Sequence, residues 1–524
     1  MTPTHEGASS SSAHSTDEKE RIASPVALPT PGAAPVLEVT NADYALAVSE
    51  QKLDPYSWSS LRLFAILAVA FMGSMSNGFD GQVMGAVNGM QQYLDYFDIS
   101  GDDAGGGVGT GQIAGMAVAG PIADRLGRRG GMFVGAIIIA IGAIVVTVAK
   151  DTDYLLGGRF VLGFGVSITT TACPAYVVEM SPPQWRGRLT GLYNTSYYAG
   201  SILCTGIAIG TEQLQSTTSW RSPLAIQLVP AGILIIFSLL LPESPRWLLA
   251  TGKPEQARAI LAKYHGAGDP HAPLVELQWR EFEDAIKQDA SDKRWYDYSE
   301  LVNTPNARYR TFMMLLMAFF GQWSGNGLGY FLTVLFKNSG VESQRARLVL
   351  NFVNTIVSAV GALIGTSLTD KVGRRRMWFW GTLGSAAMLA IATACTAEFG
   401  ETGSSKSGSN SAIAFIFLFG FVYSLTYTPL QALYPAEVLH YNTRAKGMAW
   451  CRLILRQYYI VYVVWDIFEC CMIWFFAVET KGRTLEELDE IFTDPHPVRA
   501  SIRKRKVAVV EGNGEKQVVE VAQA

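Results

Sequence analysis

Asp80 lies in the first long apolar run of the chain, residues 60–80, where a charged side chain is costly and is retained as a rule for function. The alternative is a carboxylate at a helix end that reaches water or backbone. A second concentration of chemistry is the string FFGQWSGNGLGYF, residues 319–331. Gln322, Trp323, Asn326, Tyr330 and Phe331 combine amides that donate and accept with flat aromatic faces, a set suited to a ligand bearing many hydroxyl groups. The same string also reads as a Gly-rich helix built for close packing. A third pattern is ionic. Asp124 and Arg128 recur as Asp370 and Arg374, and Glu179 precedes Arg186 by seven residues, as Glu437 precedes Arg444. These loops either hold cations on one side of a membrane or, in a sharper reading, pair into a latch.

No nucleophile, metal or cofactor constellation accompanies these residues, so neither an enzyme nor a bound cofactor is expected. All six histidines fall outside the apolar runs, so proton chemistry inside them must use carboxylates. Asp466 and Glu469, i and i+3 in the last run, could form a second proton site or simply face the bundle or a water-filled interior. The six cysteines lie in or beside apolar runs without CxxC pairs and read as small buried hydrophobes. The net charge of −3, with no basic patch interleaved with aromatics, excludes nucleic acid as the expected partner.

The elements that must position these groups are membrane-spanning helices. Only 17% of residues are charged, low for a soluble chain of 524. Apolar runs of about 20 residues, long enough for about 30 Å of hydrocarbon, recur near 60–80, 104–123, 131–149, 157–178, 189–210 and 223–241, then 312–336, 348–369, 377–396, 411–433 and 457–478. The expected fold is therefore all-α and polytopic, with eleven spans. Residues 1–55, rich in Ser, Thr, Ala and Pro, read as a disordered cytoplasmic tail; 56–241 and 312–478 as two helical bundles; 242–311 as a cytoplasmic helical linker; 479–524 as a cytoplasmic C-terminal tail.

The bundles are copies of one unit. DRLGRR (124–129) returns as DKVGRR (370–375), and ESPR (243–246) as ETKGR (479–483). Arginines and lysines fall in alternate loops, which assigns those loops to the cytoplasm. The duplication also measures a deficit. From Arg186 to Glu243 the first copy uses 57 residues, and from Arg444 to Glu479 the second uses 35. Residues 448–456 do not supply the missing helix, because Arg452 and Arg456 at membrane depth would cost about 2.5–3.5 kcal/mol each. The eleventh of twelve spans is absent on this count, and a single span at 457–478 would leave ETKGRT on the outer side.

These motifs, with GRFVLGFG, PAYVVEMSPPQWRGRL, PESPRWLL and VETKGRTLEELDEIF, resemble the sugar-porter family of the major facilitator superfamily from about residue 70 to 493. GFDGQVMGAVNGM, YNTSYYAGS and TPLQALYPAEVLHYNTRAKGMA look more like its fungal lactose and cellobiose permease branch. The resemblance implies two six-helix repeats in a multi-pass protein of the plasma membrane, with a small sugar, a proton and the lipid bilayer as partners. It implies that Asp80 carries the proton and Arg159 modulates it. It makes 319–331 the main sugar-binding helix, with Gln322 and Asn326 as ligands, Trp323 and Tyr330 as aromatic faces, Asn194 where monosaccharide carriers have glutamine, and Asn351 and Asn354 as weaker candidates. It also favours a cytoplasmic gate made of Asp124, Arg128, Glu179, Arg186, Asp370, Arg374, Glu437 and Arg444.

The departures from the family are informative. Ala432 replaces the pocket tryptophan, which enlarges the cavity toward a disaccharide, and Gly321 replaces the first of two glutamines. GGGVGTGQIAG (105–115) looks short for the second span. The expectation is proton-coupled uptake of a disaccharide or hexose by alternating access; the rivals are a non-transporting sugar sensor and an inactive truncated product.

Overall fold

The structure is a computed structural model that describes residues 36–37, 53–98, 108–214, 216–288, 301–325, 329, 332–338, 341–399, 406–438, 459–481, 488, 491–502, 507–512 and 515–520. The first bundle contains α1 (Trp58–Val87), α2 (Gln91–Phe97), α3 (Val108–Arg125), α4 (Gly127–Thr147), α5 (Thr152–Met180), α6 (Arg186–Thr195), α7 (Tyr197–Thr211), α8 (Thr218–Ile226) and α9 (Leu228–Ser238). The linker supplies α10 (Pro245–Ala250), α11 (Pro254–Tyr264) and α12 (Pro273–Gln288). The second bundle contains α13 (Pro305–Trp323), α14 (Leu332–Asn338), α15 (Gln344–Val372), α16 (Arg374–Phe399), α17 (Lys406–Val438) and α18 (Tyr459–Phe476), and α19 (Pro497–Ile502) follows.

Local chemistry sets the helix starts. Ser57, Asp151, Thr304 and Ser343 each accept a hydrogen bond from the amide three residues on, and Pro305 occupies the first helical position of α13, where its missing N–H costs nothing. Among the described residues, seven helices are long and apolar enough to cross a bilayer: α1, α4, α5, α8 with α9, and most of α15, α16 and α17. The other expected runs coincide with the shorter α3, with α6 and α7 divided at Ser196, with α13 and α14 divided after Trp323, and with α18. Large apolar side chains such as Ile236, Leu240, Trp474 and Phe475 point outward, as suits a surface facing lipid.

Packing repeats between the bundles. α9 packs on α4 and α1, and α18 packs on α16 and α13, so the last helix is the counterpart of the sixth run. α1 lies along α7, with Gly78 against the Tyr197 backbone and Gly200 against that of Met75. Among the described residues α13 has no such partner. The second core gathers Met317, Phe320, Trp378, Tyr427, Tyr434 and Ile473 from α13, α16, α17 and α18.

The contacts overturn the count of crossings that put ETKGRT on the outer side. Glu479 accepts from the amides of Arg374 and Arg375, Tyr434 donates to the Val478 carbonyl at 3.0 Å, and Arg310 reaches the Val438 carbonyl at 3.0 Å. The heads of α13 and α16 and the ends of α15, α17 and α18 therefore share one face, because short polar contacts cannot span a bilayer. Residues 439–458, which include the stretch from Met448 to Tyr458 where the duplication places the missing span, lie outside the described residues. On the same face the linker forms its own core of Leu261, Ala272, Val275 and Phe282. Strand β1 (Val36–Leu37) pairs antiparallel with β2 (Val507–Gly512), which pairs with β3 (Glu515–Glu520).

Candidate functional site

The repeated basic loops each hold a glutamate on the amides at the head of the following helix. In the first bundle Arg128, at the head of α4, donates from Nε to Glu179 Oε2 at 3.1 Å and from Nη2 to Oε1 at 3.1 Å. Its Nη1 reaches Asp124 Oδ1 at 2.8 Å and the Ala123 carbonyl at 2.9 Å. Glu243 Oε1 accepts from the amides of Arg128 at 3.0 Å and Ser244 at 2.9 Å, and the Ser244 hydroxyl donates to Glu179. In the second bundle Glu479 accepts from the amides of Arg374 at 2.8 Å and Arg375 at 3.2 Å, while Arg374 Nη1 reaches the Thr369 carbonyl at 3.3 Å. Each glutamate thus sits on a helix N-terminus, where free amides and the macrodipole favour an anion.

The motif glycine makes this possible. Gly127 and Gly373 have φ of +81° and +97°, and a Cβ on either would collide with the carboxylate of Glu243 or Glu479.

The described ion pairs of the expected gate residues stay within the first bundle: Asp124 pairs with Arg128, and Glu179 pairs with Arg128. Arg186 opens α6, half-buried, with its charge felt at His265. The side chains of Asp370 and Glu437, and all of Arg444, lie outside the described residues. The bundles meet elsewhere. Thr195 Oγ1 and Thr366 Oγ1 are 2.9 Å apart, Tyr198 OH and Ser424 Oγ are 2.6 Å apart, and Asn194 Nδ2 donates to the Thr428 carbonyl. Sequence reasoning assigned no role to Tyr198, Ser424 or Thr428, since a tyrosine pair inside an apolar run gives no sign of what it faces.

Asp80 points into the first bundle from α1. Both its carboxylate oxygens are buried and make no hydrogen bond, and the charge of Arg159 on α5 acts on it. Arg159 is also buried and interacts electrostatically with Tyr93 of α2. The expected proton carrier and its modulating arginine thus both lie in the interior of the first bundle, within reach of each other's charge.

Of the expected ligand residues, Gln322 and Trp323 end α13 half-buried. The Trp323 ring lies 5.0 Å from that of Trp465, and its Nε1 has no hydrogen-bond partner. Asn351 and Asn354 are buried on α15 with their Oδ1 atoms unbonded. Asn326 and Tyr330, and the side chain of Ala432, lie outside the described residues. At Gly321 the structure adds a residue the sequence did not point to. Gln431 of α17 occupies the space a side chain there would take, donating from Nε2 to the Gly321 carbonyl at 3.1 Å. An amide absent from one helix is supplied from the facing one.

The family described as Sugar (and other) transporter matches residues 66–456. The high-affinity glucose transporter of Kluyveromyces lactis is 26% identical over 476 residues, covering 83% of this chain and 86% of its own. The probable quinate permease of Aspergillus flavus is 27% identical over 497 residues, covering 85% and 91%. The proton:xylose symporter XylE of E. coli shares the fold, with a TM-score of 0.68 at 20% identity over 83% of this chain and 100% of the other.

Proposed function

The chain belongs to the sugar transporter family of the major facilitator superfamily, and from that premise we propose that it takes up a disaccharide of lactose or cellobiose type, or a hexose, with a proton across the plasma membrane. The observation that carries the coupling is the buried Asp80 carboxylate without a hydrogen bond, under the charge of the equally buried Arg159. A proton arriving at Asp80 cancels its charge and frees Arg159, biasing two packings of the same helices, which is what a two-state carrier needs. A membrane potential contributes about 2.3 kcal/mol per charge for each 100 mV, enough to concentrate solute.

The sugar lies between the bundles against Gln322, Trp323, Asn326, Tyr330, Asn194 and Asn354. Arg128, Glu179 and Asp124, with Arg186, Asp370, Arg374, Glu437 and Arg444, form the gate on the face of the basic loops. The contact between Thr195 and Thr366, toward that face, supports a closed seam. Purified protein in vesicles, given an inward proton gradient, should accumulate labelled lactose, cellobiose or glucose and lose that accumulation with an uncoupler. Accumulation that ignores the uncoupler rejects the coupling, and no movement of any of the three rejects the substrate class.

A further inference from the structure

Asp466 and Glu469, one turn apart on α18, are both wholly buried in the second bundle. Glu469 Oε2 accepts from the hydroxyls of Ser324, which caps α13, and of Tyr427 on α17, the latter at 3.1 Å. Tyr427 OH is in turn 2.7 Å from Thr382 Oγ1 of α16 and 2.8 Å from Ser324 Oγ. Glu469 Oε1 and both oxygens of Asp466 are buried without a hydrogen bond. The groups acting on the pair are Ser324 from α13, Tyr427 from α17, and Trp465 and Cys470 beside it on α18; among the described residues none is a lysine, arginine or histidine.

Two carboxylates one helical turn apart cannot both ionise in a medium of low dielectric without a counter-charge, so the pair retains a proton. Three unbonded carboxyl oxygens on adjoining turns offer that proton an acceptor as well as a donor. Its position also has a mechanical consequence. Ser324 has one hydroxyl hydrogen, for which the Phe320 carbonyl at 2.6 Å, Tyr427 OH and Glu469 Oε2 compete; given to Glu469, it ties the end of α13, one residue past Gln322, to α18 immediately before Gly325, where φ is +97°.

We propose that Asp466 and Glu469 form a proton-binding site in the second bundle, separate from Asp80 in the first, whose occupancy is coupled through Ser324 to the break after α13. The ligand is the proton itself, and the site is reached by exchange with water. It depends on the transport reading only for its use in a cycle.

The test needs no known sugar. The purified full-length protein in lipid is moved from H2O to D2O and followed by infrared spectroscopy. In an Asp80→Asn background a protonated-carboxyl band should be present at neutral pH, shift on exchange with deuterium, move in either Glu469→Gln or Asp466→Asn and be lost when both are replaced, while Glu469→Asp retains it at a new frequency. Ser324→Ala should displace it. A band that survives both amide substitutions, or that does not exchange, overturns the site. A band unmoved in Ser324→Ala overturns the link to α13. Vesicles that fail to take up sugar would count against the transport reading without touching these bands.

Discussion

Glu479 meets the amide of Arg374 at 2.8 Å, just as Glu243 meets that of Arg128 at 3.0 Å, so two glutamates 236 positions apart in sequence perform one task in the two bundles. The anion takes the free N–H groups at the head of a membrane helix and clips the following segment to the basic loop.

Replacing that charge by an amide of the same shape should weaken both clips. Glu243→Gln is expected to cost about 1–3 kcal/mol, because hydrogen bonds to a charged group at a helix N-terminus are lost, and the half-buried Glu479→Gln somewhat less. Thermal unfolding of the purified protein in detergent measures this; an unchanged midpoint in Glu243→Gln would show the clip to be idle.

The glycines of the loops should be intolerant. Gly127→Ala and Gly373→Ala each force an L side chain to positive φ against a glutamate, with a cost of about 1–3 kcal/mol apiece. Size-exclusion profiles of tagged protein should show less monodisperse material, whereas Gly210→Ala, with open space around it, should behave as the parent does.

Arg128→Ala removes the cation beside the buried Glu179 and is expected to destabilise by about 3–5 kcal/mol. The double variant Arg128→Ala, Glu179→Ala should recover part of that loss, since no carboxylate is then stranded. Strict additivity in the unfolding midpoints would refute the coupling.

Asp80→Asn should abolish accumulation against a gradient and leave exchange intact, while Arg186→Ala should slow transport more than it weakens sugar binding. Counterflow and equilibrium binding on one preparation separate the two; equal effects of Arg186→Ala on both would remove it from the gate.

Stability should also fall on the acid side through the linker. His265 is buried with Nδ1 2.6 Å from Gln278 Oε1 and Nε2 3.0 Å from the Met180 carbonyl, and burial holds its pKa below the usual histidine range, against those bonds and alongside the charge of Arg186. The unfolded chain takes up a proton near pH 6.5 that the folded chain resists, so stability is complete above that pH and declines below it. The melting temperature should drop between pH 7.5 and 5.5, and His265→Gln should flatten the trend.

The duplication was legible because a motif bounded by a required glycine repeats with its charges in place. The α18 counterpart of the sixth run was legible from ESPR and ETKGR. Their role was not, since nothing in a local string says that Glu243 reaches back 115 residues to the Arg128 amide. Asp124 and Arg186 have opposite signs, yet the ion pair that Asp124 makes is with Arg128, one turn away on its own loop. Spacing pairs residues along a helix well and across a bundle poorly. Gln431 escaped for the same reason: a missing amide at Gly321 is visible in the sequence, and its replacement from a facing helix is not.

The pairing of Val36 and Leu37 with Ala508 and Val507 brings the two ends of the chain into one small sheet. Strands joined by hydrogen bonds share a compartment, so the polypeptide must traverse the bilayer an even number of times. Parity, rather than the tally of apolar runs, is the constraint that any topology of this carrier has to meet.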